Sequence, residues 1–252
     1  MDPANRTVQQ HLGNSGRAYV AAGNAIEERV GSNRIRIAEV DAIPATMDGT
    51  AEFQIYNVLA AVAASRAYGL SPQDIERALM SFSMEREGRG RLNVFSFGTG
   101  YVVVDYGHNP VALKSMQDMI ARWNITRRTA VITLPGDRRD DLVAESARTV
   151  AQGYDRIFIR EDKDLRGRQP GEMAELLARL INEERPDVPT KIILDELEAT
   201  IAAVSEMEPG EVVVTSSDRK DEVIAWLRQA GAEPLSDLRQ LTRPAAAIAA
   251  AV

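Results

Sequence analysis

The sequence predicts an α/β fold: a Rossmann-like, mainly parallel sheet with helices on both faces, preceded by a small β meander and a helix pair. Three observations predict it. From residue 101 onward, short apolar runs such as "YVVV", "TAVITL", "RIFI", "KIIL" and "EVVVTS" alternate with amphipathic stretches, as strands joined by right-handed helical crossovers do. The last four of these runs are apolar on both faces, the pattern of strands covered on both sides. Before residue 83 the text differs. Breaks at Gly23-Asn24 and Gly31-Ser32-Asn33 divide 17–43 into a meander, after which the period lengthens to that of a helix.

Each element follows from local chemistry. "AEFQIYNVLAAVAASRAYGL" carries Ile55, Leu59, Val62 and Ala63 at helical spacing and stops at Gly69. Ser71 and Pro72 then supply the N-cap and first residue of a second helix. The charged, glycine-rich "MEREGRGR" separates the two regimes, and Gly98-Thr99-Gly100 turns "RLNVFSF" into "YVVVDY" as a hairpin. Beyond it the spacing predicts helices near 110–122, 139–152, 171–184, 196–206 and 218–229, and strands at 129–134, 155–160, 190–194 and 211–215. The chain thus divides into 1–88, 89–232 and a tail, 233–252, whose "RPAAAIAAAV" has no polar face and predicts no particular structure.

With 252 residues and 44% hydrophobic content, the chain can bury one large core or two smaller ones. A net charge of −7 argues against nucleic acid as a partner, because backbone binders present a basic face. No apolar run approaches a membrane span and the start lacks a secretory signal, so a cytoplasmic protein with no membrane partner is expected. The absence of cysteine excludes disulfides, thiolate nucleophiles and cysteine zinc sites. Of the 30 basic residues only four are lysines. The planar arginine fork suits phosphates and carboxylates, although a GC-rich genome produces the same bias.

In an open parallel sheet, ligands collect at the carboxyl ends of the strands. Four predicted strand ends carry polar groups there: Asp105 and His108; Gly136 to Asp140; Glu161 and Asp162 with Arg166 and Arg168 beyond; Ser216 to Arg219. A carboxylate at a strand tip can hold a sugar diol, His108 can donate to a phosphate, and Asn109-Pro110 can open a helix whose first amides favour an anion. The same residues build caps and turns for structural reasons alone, and the two readings stand level. A serine-hydrolase triad is disfavoured because there is no G-x-S-x-G elbow.

Four motifs in order then carry a resemblance: "IPATMDGTAEFQIYNVLAA", "DYGHN", "GDRRDD" and "REDKDLRGR". Together they resemble the Mur ligase family of ATP-dependent amide ligases, most nearly its cyanophycin synthetase-like branch, over residues 15 to 230. The resemblance implies a carboxylate activated by ATP as an acyl phosphate and an amino acid or peptide whose amine attacks it. It also implies ATP contacts from Asn57, Arg91, Asp105, His108 and Asn109, and substrate contacts from Asp137, Arg138, Arg166 and Arg168. Structural readings compete: Asn57 can serve helix packing, and the arginines can pair with neighbouring acids.

The family's P-loop is missing from these residues, where no Gly-Lys pair occurs, and most magnesium ligands belong with it. The expectation is therefore the end of a central ATP-binding domain followed by a C-terminal domain. That combination has no complete catalytic set and no metal site, works with a P-loop domain in cis or in trans, and is inactive alone. Strand edges deprived of their sheet favour self-association into a homo-oligomer. The alternative is a non-catalytic module that binds a nucleotide or amino acid.

Overall fold

The computed structural model describes residues 2–235 and 237–242. It divides into two compact units, Met1–Glu87 and Gly88–Val252.

In the first unit, helix α1 (Arg6–Gly13) precedes an antiparallel meander of β1 (Arg17–Ala22), β2 (Ala25–Val30) and β3 (Asn33–Glu39), then helices α2 (Glu52–Ala67) and α3 (Pro72–Ser81). Ile26 and Ile37 of the meander pack with Val58, Leu59 and Val62 of α2 and Ile75 of α3. Glu28 is buried among them and takes Arg17 at 3.2 Å and Arg66 at 2.6 Å. As predicted, Ser71 caps α3, accepting from the Asp74 amide, with Pro72 in the first turn. Helix α1 was not predicted. Only Val8 of it is buried, so it has no apolar stripe to read; its cap, Asn5, accepts the amides of Thr7 and Val8.

The second unit is a seven-stranded sheet in the order β10-β4-β5-β9-β6-β7-β8, with β10 formed by Glu233–Pro234. Strands β4 (Asn93–Phe97) and β5 (Gly100–Asp105) form the predicted hairpin, and β5, β9 (Glu211–Ser216), β6 (Arg127–Ile132), β7 (Arg156–Ile159) and β8 (Thr190–Ile192) run parallel. Between them lie helices α4 (Pro110–Ile120), α5 (Asp140–Gly153), α6 (Glu172–Glu184) and α7 (Glu196–Ser205), with α8 (Lys220–Gln229) after β9. Helices α4, α5 and α6 pack in series, while α7 and α8 pack on each other and on the sheet. Val102, Val103, Val104, Val213 and Phe158 are buried, each contributing about 1.5–3 kcal/mol on removal from water. Among the described residues no helix is long and apolar enough to cross a membrane.

Two expectations need correction. "KIIL" is not covered on both faces: β8 is the edge of the sheet, with Lys191 exposed and Ile192 42% exposed. Apolar content cannot distinguish an edge strand from a central one when the sheet order is unknown. The predicted strand 129–134 begins and ends two residues early, because Arg127 and Arg128 already pair with Glu211 and Val212. The start of the tail also joins the sheet. Glu233 and Pro234 form β10 against β4, and Arg239–Thr242 is a short helix, α9; "RPAAAIAAAV" lies outside the described residues.

Candidate functional site

The parallel register brings the strand ends level. Asp105 pairs with Ser216, Val131 with Thr215, and Ile132 with Ile159, so the loops that follow converge as the sequence implied.

At the β5 end, the Asp105 carboxylate accepts the Leu92 amide at 2.9 Å and the Gly107 amide at 2.7 Å, one on each oxygen. It therefore fixes its own turn. Arg91 is exposed and stacks its guanidinium 4.5 Å over the Tyr106 ring. His108 meets that ring edge-on at 4.4 Å and places Nδ1 2.8 Å from the Tyr106 carbonyl. A proton on Nδ1 to make that bond leaves Nε2 available. Asn109 caps α4 through the Ala112 amide at 2.9 Å, with Pro110 next. Asn57 lies on exposed α2 surface in the other unit, donating to Gln54 at 2.8 Å.

Among the predicted substrate residues, internal pairing describes two of the three arginines. Arg166, at a left-handed φ of 48°, reaches Asp137 at 3.2 Å. Arg168 is satisfied on three sides, by the Gly136 carbonyl at 2.8 Å, Asp140 at 2.9 Å and Glu172 at 3.0 Å. Their carboxylate partners, Asp137 and Asp140 foremost, raise both guanidinium pKa values. Arg138 differs. It is half-buried, its Nε is shielded from water without a partner, and no carboxylate pairs with it among the described residues. Its loop is pressed against the Arg166 loop so closely that a Cβ on Gly136 would stand 2.0 Å from the Leu165 carbonyl oxygen.

Beside these loops a cleft of about 470 Å³ opens, lined by Asp162, Arg166, Asp195, Asp218 and Arg219 with Arg160 and Glu196 at its base. Arg160, only 1% exposed, is the residue that sequence reasoning missed. It leaves β7 and crosses the end of β6 to give the Ser216 carbonyl of β9 two hydrogen bonds, at 3.1 and 2.7 Å. It also bonds Asp162, Asp218 at 3.0 Å and Glu196 at 3.3 Å. Glu196 is occupied further by the Ser217 hydroxyl at 2.5 Å and the Arg219 amide at 3.0 Å. The one signal was an arginine closing an apolar strand; its partners at 196 and 218 are remote in sequence.

Asp162 and Asp218 sit on the two terminal nitrogens of the Arg160 guanidinium, Nη1 and Nη2. Burial, and after it hydrogen bonding with Asp218, pushes the Asp162 carboxyl up to about 7, against the pull of Arg160. Burial opposes ionisation of Asp218 too, but the bond from Asp162 and the charge of Arg160 outweigh it and hold Asp218 below its ordinary value. The pair therefore shares one proton under mildly acidic conditions, as adjacent carboxyls do.

An α/β domain with a mainly parallel sheet and a polar cleft at its carboxyl edge defines a Rossmann-like class. The chain belongs to the Mur ligase family: residues 90–219 match its model, "Mur ligase, glutamate ligase domain". Cyanophycin synthetase of Synechocystis sp. is 35% identical over 229 residues, covering 90% of this chain and 26% of that protein. This chain thus spans about a quarter of that relative's length. In fold it is similar to E. coli FolC in complex with DHPP and ADP (TM-score 0.61, 17% identity, 91% of this chain and 52% of that one). It is also similar to a Yersinia pestis bifunctional folylpolyglutamate synthase/dihydrofolate synthase complexed with AMPPNP and Mn ion (TM-score 0.59, 19% identity, 83% and 45%).

The residues of the second unit fit a phosphate-bearing ligand in one respect: among the described residues the exposed Arg91 guanidinium, stacked on Tyr106 at the opening of α4, has no anionic partner. Among the described residues no group of three His, Cys, Asp or Glu side chains could hold a metal ion.

Proposed function

We propose that this chain is the C-terminal portion of an ATP-dependent ligase that forms an amide bond through an acyl phosphate, in the manner of a cyanophycin synthetase-like enzyme, and that its rim binds the incoming amino acid. The observation that carries the reading is Arg138, a half-buried guanidinium without a counter-ion among the described residues, beside two arginines that have theirs. A shielded, unpaired guanidinium is complementary to a carboxylate, which it grips with two parallel hydrogen bonds.

ATP, when bound, supplies the phosphoryl group that activates the first carboxylate. This chain orients the second substrate. Arg138 holds the amino acid's own carboxylate back from the reacting centre, while Arg166 and Arg168, braced by Asp137 and Asp140, fix the loops on either side. Arg91 and His108 contact the phosphates, and Asp105 holds the turn that presents them. Asn109 supports the opening of α4 as its cap, and Asn57, assigned to ATP, belongs to the first unit. That unit, in this reading, is the end of a central nucleotide-binding domain and acts with a P-loop domain.

The test is a full-length ligase assay with ATP and pairs of amino acids or short peptides, following phosphate release and amide product together. Stoichiometric release of both supports the reading. Binding of a nucleotide or amino acid without either product would instead favour a non-catalytic module.

A further inference from the structure

The incoming amine raises a problem that Arg138 does not solve. An amino acid's amine is an ammonium at neutral pH and cannot attack until a proton leaves it. We propose that the paired carboxyls of Asp162 and Asp218 are the proton acceptor for that ammonium. The inference rests on the ligase reading above.

Placement carries the argument. Both side chains line the cleft beside Arg166, and both are fixed from below by Arg160, Asp162 on Nη1 and Asp218 on Nη2. Each is thus oriented by a buried group that cannot itself give up a proton near neutrality. Glu196, the third acid on Arg160, has both oxygens engaged by Ser217 Oγ, main-chain amides and the guanidinium, and is only 2% exposed. Of the acids on that guanidinium, Asp162 and Asp218 are the two that keep exposure to the cleft.

Their surroundings suit the task. His108, from the β5–α4 loop, lies near Asp218, and Arg166 lies near Asp162. Lys163 and Asp164 stand on the Asp162 loop, and Arg219 is turned to Asp195 and Glu222. Two carboxyls held on one guanidinium repel each other when both are ionised, so the pair takes up its first proton more readily than a lone carboxyl does, as a general base requires.

The step balances. The ammonium gives one proton to the doubly ionised pair and becomes a neutral amine. Its lone pair forms the C–N bond at the acyl-phosphate carbonyl carbon, the C–O bond to phosphate breaks with its electrons leaving on the phosphate, and the nitrogen's remaining excess proton passes to solvent.

The full-length ligase is assayed from pH 5.5 to 9, wild type against Asp162→Asn and Asp218→Asn, with thermal unfolding to confirm that each variant folds. The expected result is a fall in kcat of about 10²-fold at neutral pH, a displaced acid limb and an unchanged KM for ATP. An Asp162→Glu variant, keeping a carboxyl in the cleft, recovers part of the rate. Carboxyl carbon NMR on the 252-residue chain gives a second readout, in which the pair takes up its first proton near neutrality. Active variants with the wild-type pH profile, or two independent titrations at ordinary carboxylate values, overturn the proposal while the ligase reading stands. A wild type that forms no amide defeats that reading and the proposal with it.

Discussion

Arg160 and Glu196 meet at 3.3 Å, both almost wholly buried, one at the end of β7 and the other opening α7. With Asp162 and Asp218 on the same guanidinium, a single arginine ties three loop segments of the rim together. Replacing Arg160 with methionine leaves buried carboxylates uncompensated. The expected loss of stability is about 3–5 kcal/mol, the cost of breaking a buried pair. Denaturant unfolding measures it, and a loss no larger than that of an exposed pair would remove Arg160 from its central role.

Stability should also fall as pH rises from about 4 to 7. Asp162 has a folded pKa raised to about 7, so the folded chain binds more protons than the unfolded chain across that window. Its contribution is present in full below the unfolded value and lost as pH passes the folded one. Asp218, lowered by the same interaction, contributes in the opposite sense and only at lower pH. Asp162→Asn should flatten the decline in melting temperature between pH 5 and 7.5; an unchanged slope would contradict the shared proton.

Gly136→Ala tests the seam between the Arg138 and Arg166 loops. A methyl there would meet the Leu165 carbonyl oxygen at 2.0 Å, a main-chain atom that cannot swing away, so one loop must shift. A displacement of this size beside a substrate grip costs about 10²-fold in activity. Because the seam lies at the surface, the melting temperature should change less than in an Arg160 variant.

Much of this architecture was legible because it rests on local chemistry. Ser71-Pro72 and Asn109-Pro110 open α3 and α4 as their types require, and the short apolar runs in "TAVITL" and "EVVVTS" read as strands, although not by themselves as central ones. What could not be read depends on tertiary neighbours. Helix α1 buries one side chain, β10 is two residues long and includes Pro234, and β8 owes its exposure to its place at the edge. At the site, residue types predicted a rim but not its partners. Arg166, Arg168 and Arg138 look alike in "GDRRDD" and "REDKDLRGR", and only the fold leaves Arg138 unpaired.

Asp105 illustrates two effects in one residue. Asp105→Ala removes the acceptor from the Leu92 and Gly107 amides, a cost of about 1–3 kcal/mol for each part-buried donor left unmet. In the full-length ligase the loosened turn carries His108 with it, so the KM for ATP should rise. Calorimetry and initial rates separate the two, and an unaltered KM for ATP would limit Asp105 to a structural role.

The claim that the rim grips the incoming amino acid is tested most directly by the apparent KM values of Arg138→Ala in the full-length ligase. Losing a charged hydrogen bond costs about 1.5–3 kcal/mol, so the KM for the incoming amino acid should rise about 10- to 100-fold while that for ATP stays nearly constant. A variant whose amino-acid KM is unchanged, or whose ATP KM alone rises, would place Arg138 outside the second-substrate site.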